Sequence, residues 1–185
     1  KKTYSQFGED LIIDKYFGNY IGTYVDIGCF HPIKYSNTVL LNKKGWSGVN
    51  IDLNETSTKL FNACRKKDTN ITACLSDKKE YITVYIDSEF SALNSMYLEN
   101  SKNFKFKDLK KKMIKTQVFP EIVKENFDFL NIDCEGNDYK ILKTINLKKY
   151  KPKLINIEVS KENKKFIYDY LDLNGYELLV IKSLS

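Results

Sequence analysis

Three short apolar runs in this chain reach an aspartate at or near their ends: Tyr24-Val25-Asp26-Ile27-Gly28, Gly48-Val49-Asn50-Ile51-Asp52 and Phe127 to Asp133. Each is brief, rich in aliphatic side chains and closed by a polar tip, which reads as a buried strand entering a turn. Between and after them lie segments with helical spacing. Ser36 to Gly45 reads as a capped helix, Asn54 to Lys67 places Leu60, Phe61 and Cys64 on one face, and Asn137 to Ile145 and Lys161 to Leu173 follow later strands. Further strands are predicted at Ile71 to Leu75, Leu154 to Val159 and Tyr176 to Ile181. Strands alternating with helices predict βαβ units: an α/β chain with a mainly parallel sheet and flanking helices. In such sheets ligands collect outside the carboxyl ends of the strands, where these aspartates stand.

A length of 185 residues fits one domain spanning 1–185. With 42% hydrophobic and 14% aromatic residues there is enough bulk for a core, which excludes wholesale disorder. The net charge of +6 permits an acidic partner without requiring one. Cys29, Cys64, Cys74 and Cys134 form no CxxC pair and have one histidine beside them. Neither a zinc site nor a disulfide framework is expected, and reduced, buried thiols point to a cytoplasmic protein. No run approaches the ~20 apolar residues that span a bilayer, and no signal peptide is seen in these residues.

One segment breaks the rhythm. Tyr81 to Ile86 alternates like a strand, then a polar stretch leads into a lysine-rich run from Lys102 to Lys115. Residues 88–115 are read as an inserted substrate-binding segment, expected to lie over the carboxyl ends of the strands.

The chemistry concentrates at the strand ends. Asp26 and Gly28 close the first strand, and a glycine there admits a close backbone approach. Asp52 closes the second, the usual place for a carboxylate that accepts ribose hydroxyls. The glycine-rich pyrophosphate turn is missing, since Gly28 is followed by Cys29-Phe30-His31-Pro32. A nucleoside cofactor without a pyrophosphate fits better, S-adenosylmethionine above all. Asp133 and Glu135 lie two apart after the fourth strand, so like charges would meet at a pocket edge and raise a pKa or attract a divalent cation. Asp138 can serve the first turn of the following helix. His31 follows the cofactor-type turn and titrates near neutrality, which makes it a candidate general base.

Tyr24-Val-Asp-Ile-Gly-Cys-Phe-His-Pro, Tyr35-Ser-Asn-Thr and Lys44-Gly-Trp-Ser-Gly-Val-Asn-Ile-Asp52 together resemble the cofactor half of FkbM-type methyltransferases. Ser5-Gln-Phe-Gly-Glu-Asp10 is similar to that family's entry motif. Phe129 to Gly136 resembles its Asp-x-Glu-Gly motif, and Pro152 to Glu158 its penultimate strand. The resemblance implies a Rossmann-like class I methyltransferase fold and transfer of a methyl group from S-adenosylmethionine, usually to a hydroxyl of a sugar or natural product. It implies that Asp26 and Gly28 line the methionine side of the cofactor with Asn37 close by. Asp52 would hold the ribose and Asp77 lie near adenine. Asp133 would approach the sulfonium or the acceptor, and Gln6 and Glu9 would help close the pocket. His31, Asp133 and Glu135 are the candidate catalytic residues, and no metal site is assigned. The rival reading is a nucleic-acid-binding or nucleic-acid-modifying α/β domain, supported by the charge and the lysines and opposed by the lack of an RNP-like aromatic motif.

Overall fold

Residues 2–86 and 110–179 are described in the computed structural model. The chain opens with helix α1 (Glu9–Phe17), then strand β1 (Thr23–Ile27), α2 (Val39–Lys43), β2 (Ser47–Asp52), α3 (Glu55–Cys64) and β3 (Thr69–Thr72). It continues through β4 (Cys74–Leu75), β5 (Tyr81–Ile86), β6 (Lys110–Gln117) and α4 (Phe119–Ile122). It ends in β7 (Phe129–Ile132), α5 (Asp138–Leu142), α6 (Leu147–Tyr150), β8 (Leu154–Ile157) and α7 (Lys164–Leu173).

Five strands form one parallel sheet in the order β3-β2-β1-β7-β8. The chain winds outward from β1 to β3 and then returns to lay β7 beside β1. That reversal is a topological switch point, and it opens a crevice at the carboxyl ends of β1 and β7. The expected α/β, Rossmann-like class I fold is therefore the observed one.

Strand alternation sends neighbouring side chains to opposite faces. Val25, Ile27, Ile51, Leu130 and Ile132 form the main core with Phe119, Ile141, Leu142, Leu147, Tyr150 and Ile167, so α4 to α7 cover that face. Tyr24, Phe129 and Leu154 point the other way, against Ile13 and Phe17 of α1, Leu41 of α2, and Trp46. Gly48 stands opposite Tyr24 in the register, and a Cβ there would meet the Tyr24 ring at 2.4 Å, so the glycine makes room for the ring.

Three sequence expectations need correction. The run from Ile71 to Leu75 divides: Ala73 N–H donates to Asp52 O (2.9 Å), β2 ends, and Cys74 and Leu75 leave to pair with Thr116 and Gln117 of β6. Lys110 to Lys115 belong to β6, which pairs antiparallel with β5; residues 88–109 of the inserted segment lie outside the described residues. Tyr176 to Leu179 show no strand, and Val180 and Ile181 lie outside the described residues. The short α4 and α6, and α1, were not anticipated, although Asp10 caps the segment before α1 by accepting from Thr3 Oγ1 (2.6 Å), Tyr4 N (2.7 Å) and Ser5 Oγ (2.8 Å).

Candidate active site

The strand register stacks polar side chains in rows on the face that carries Tyr24. Asn70, Asn50, Asp26, Asn131 and Asn156 are consecutive register partners across all five strands. Asn131 Nδ2 donates to Asp26 Oδ1 (2.8 Å), Asn156 Nδ2 to Asn131 Oδ1 (2.7 Å) and Asn50 Nδ2 to Asn70 Oδ1 (2.8 Å). Asn37 joins the row through Nδ2 to Asn131 Oδ1 (3.0 Å), and Thr38 Oγ1 donates to the second Asp26 oxygen (2.7 Å). Asp26 is thus buried beneath the site rather than in it, and its pKa is raised by burial against the pull of Thr38, Arg65 and Asn131.

Two residues further along each strand come Asp52, Gly28, Asp133 and Glu158. Gly28, Asp52 and Asp133, with Glu135, line an open cleft. Ile27, Phe30, Ile51, Leu53, Ala73 and Leu75 give it an apolar wall. The mixed apolar and acidic lining suits a small ligand with both kinds of surface. Gly28 has φ 77°, and a Cβ on it would sit 1.7 Å from Asp133 O, so only glycine lets the β1 and β7 tips meet.

Asp52 accepts Asn54 N–H on one oxygen (2.7 Å) and Phe30 N–H on the other (2.8 Å). Burial pushes its pKa up to about 6 in spite of those bonds. The turn after β7 is built by carboxylates. Asp138 accepts from Cys134 N (2.8 Å) and Gly136 N (3.0 Å), and Glu158 accepts from the Glu135 amide. Those three bonds hold Glu135 at φ 50° and Gly136 at φ 94°, a left-handed pair that puts the Glu135 side chain on the cleft. Burial, then Glu158 and Asp138, raise Glu135 to about 7. Asp138 also reaches about 7, mainly by burial. Asp133 is raised well above the carboxylate range by enclosure in the cleft and by Glu158, Asp138, Glu135 and Asp26 around it. The Asp133 and Glu158 residues are both solvent-exposed, so water screens part of this repulsion. Among the described residues no group of three or more His, Cys, Asp or Glu side chains is arranged to hold a metal.

The other candidates sit elsewhere. His31 Nδ1 accepts from Ile33 N (3.0 Å) and Lys34 N (3.1 Å), and burial, Lys34 and Arg65 lower its pKa. Asp77 pairs with Lys143 (2.8 Å), which lowers its pKa. Glu9 accepts from Phe7 N (2.9 Å) at the start of α1, and Gln6 is exposed just before it. None of His31, Asp77, Gln6 or Glu9 lines the cleft.

Arg65 escaped the sequence reasoning. It is buried and donates to Tyr24 Oη (3.0 Å), Thr38 Oγ1 (2.7 Å), Pro32 O (2.7 Å) and Ser36 Oγ (3.0 Å), so one guanidinium ties α3 to the loop after β1. Its signal was present: it is the sole arginine among 30 Lys and Arg residues. A chain otherwise committed to lysine uses arginine where a rigid fork of donors is required.

A model of the methyltransferase FkbM domain matches residues 18–178. The chain belongs to this family. No curated protein and no solved structure matches it. The FkbM match covers the five-stranded sheet, the cleft and every carboxylate of the rows described above, and it supports methyl transfer as the activity of this chain. No helix among the described residues is long and apolar enough to cross a membrane.

Proposed function

We propose that the protein is an S-adenosylmethionine-dependent O-methyltransferase whose acceptor is a hydroxyl of a sugar, glycan or natural product. The observation that carries this reading is the acidic row Asp52–Gly28–Asp133 at the edge of an apolar-walled cleft. A cationic nucleoside cofactor matches both features. Asp52 spends one lone pair of each oxygen on a backbone amide, which leaves one on each for a ribose diol. The apolar wall around Ile51, Leu53 and Ala73 suits a flat base. Asp133, beside Gly28, supplies negative charge where a sulfonium or ammonium would lie.

S-adenosylmethionine supplies an electrophilic methyl group when bound. The chain must position an acceptor hydroxyl and take its proton. Glu135 is assigned that proton. A carboxyl titrating near 7 is half ionised at neutral pH, so it can both accept a proton and release it. His31 is reassigned as a residue that positions the loop. Its Nδ1 is the acceptor for two backbone amides, so in the neutral ring the proton is on Nε2, and neither nitrogen is left to receive another. Asp26 and Asn37 support the strand tips from below.

Glu135→Gln is expected to lower turnover by roughly 10²–10⁴-fold and to remove the acidic limb near pH 7, with cofactor affinity nearly unchanged. His31→Ala should keep most of the turnover. A fully active Glu135→Gln enzyme, measured with a radiolabelled methyl donor, would end this assignment.

A further inference from the structure

The cleft is acidic, yet the chain as a whole carries +6. Much of the excess is concentrated on the β5–β6 pair, where the two strands hold four lysines and no acidic residue. Register pairs Tyr81 with Lys115, Thr83 with Met113 and Tyr85 with Lys111, so these six side chains share one face of the pair. The opposite face holds Val84, which is fully buried, with Ile82 and Ile114 partly covered. The six-residue face therefore looks to solvent: Tyr81 is 67% and Met113 is 70% exposed, and Lys111 and Lys115 are exposed.

Two further observations give this face a direction. Among the described residues no acidic side chain forms an ion pair with Lys110, Lys111, Lys112 or Lys115, whereas the nearby Lys78 and Lys79 are paired with Glu80 and Glu121. Among the described residues the positive charge of β6 is therefore not neutralised by bonded acidic partners, although Lys112 reaches Glu55 electrostatically. Second, β6 is anchored at the cleft. Its Thr116 and Gln117 pair with Cys74 and Leu75 of β4, which line the cleft wall. From there the strand leads away for about 20 Å at ~3.3 Å per residue. A surface that begins at the active site and extends that far suits a chain-like partner better than a small molecule.

We infer that the Tyr81–Tyr85–Lys111–Lys115 face docks an acidic glycan chain and feeds it to the cleft. The inference rests on the reading above that the acceptor is a carbohydrate. Two tyrosine rings four residues apart along β5, about 13 Å at ~3.3 Å per residue, offer flat, amphipathic platforms for separate sugar rings of one chain. The lysines opposite them provide the counter-charge for carboxylate, sulfate or phosphate groups. Division of labour follows from the charges. The carboxylates of the cleft repel an anionic group, so a hydroxyl of the chain enters while its anionic groups stay on β6.

The test uses the full chain and two acidic polysaccharides as probes, heparin and polygalacturonate, with uncharged dextran and a dT20 oligonucleotide as comparators, all at about 0.15 M salt. S-adenosylhomocysteine binding is measured in parallel on every variant. The expected result is retention on both acidic polysaccharides and not on dextran. Affinity should fall at least about ten-fold in Lys111→Glu/Lys115→Glu and about three-fold or more in Tyr81→Ala/Tyr85→Ala. Lys164→Glu/Lys165→Glu, an equal charge change on α7, should alter neither. Absence of binding, equal losses in the α7 control, or tighter binding of dT20 than of either polysaccharide overturns the inference. Cofactor binding separates the two claims: glycan binding without S-adenosylhomocysteine binding refutes the proposed function, and the reverse refutes only the docking face.

Discussion

Val25 and Asp26 are neighbours on one strand, yet they face two different chemistries. On the Val25 side the two central rows of the parallel sheet are aliphatic, Val49, Val25, Leu130 and Ile155 in one and Ile71, Ile51, Ile27, Ile132 and Ile157 in the next. On the Asp26 side the rows change along the strands. An apolar row of Tyr24, Phe129 and Leu154 is followed by the amide row through Asn50, Asp26 and Asn131, and then by the carboxylates Asp52 and Asp133 at the cleft. The first face holds the sheet together by burial alone. The second trades that burial for a hydrogen-bonded platform beneath a charged site. Its amide row is not fully satisfied: the buried Asn37 Oδ1 and Asn50 Oδ1 find no partner among the described residues. One face is built for stability, and the other gives some of it up to position charge.

The largest expected effect lies on the aliphatic face. Leu130 is fully buried there, so Leu130→Ala should cost about 2–5 kcal/mol of stability by denaturant titration. Cofactor affinity of the folded fraction should stay within about two-fold. A large affinity loss in this variant would mean that the faces are not separable.

On the polar face Arg65→Lys should cost about 2–4 kcal/mol, nearly as much, although charge is kept. A single ammonium cannot serve Tyr24, Pro32, Ser36 and Thr38 together, and some of these buried groups would lose their partner. A melting temperature equal to wild type would show that the fork geometry is dispensable.

The smallest effect is in pH. Asp52 near 6, and Glu135 and Asp138 near 7, all titrate above their unfolded values. Between about pH 4 and 7 the unfolded chain therefore binds fewer protons than the folded one, and stability falls as pH rises through this window. His31 works against the trend below its unfolded value, because its folded pKa is lowered. Three carboxyls outweigh one imidazole. After allowance for partial exposure, the protein without ligand should be more stable at pH 5.5 than at pH 8, on the order of 1 kcal/mol or a few degrees. Calorimetric melting at the two pH values checks this, and a higher melting temperature at pH 8 would reverse the sign argued here.

The contrast between the faces also explains what could be read in advance. The parallel sheet was legible because strands such as Tyr24 to Ile27 are short aliphatic runs bounded by turns, a pattern local in sequence. Asp52, Gly28, Asp133 and Glu135 were legible as cleft residues because they mark strand ends. Asp26 was misplaced by one layer, since two residues along a strand separate a buried row from an exposed tip. His31 looked like a base because a lone histidine beside a ligand turn has the right intrinsic pKa; its two amide donors come from a turn that no spacing rule shows. The carboxylate clamp of Asp138 and Glu158 on the turn at Glu135 joins the ends of two separate strands, and only folding brings it together. The breakup of Ile71 to Leu75 depends on where β2 stops, which is again a property of the neighbour.

The central claim is that the carboxylates on the polar face bind a cationic nucleoside cofactor. Titration calorimetry of S-adenosylmethionine tests it most directly, on wild type and Asp52→Ala, at pH 6 and pH 8. The account predicts saturable binding that tightens from pH 6 to pH 8 with release of protons, because the ligand's charge favours ionised carboxylates. Asp52→Ala should lose roughly 1.5–3 kcal/mol, about ten-fold or more in affinity, and NAD should not bind. Equal affinity of wild type and Asp52→Ala, or binding that strengthens as pH falls, would contradict it.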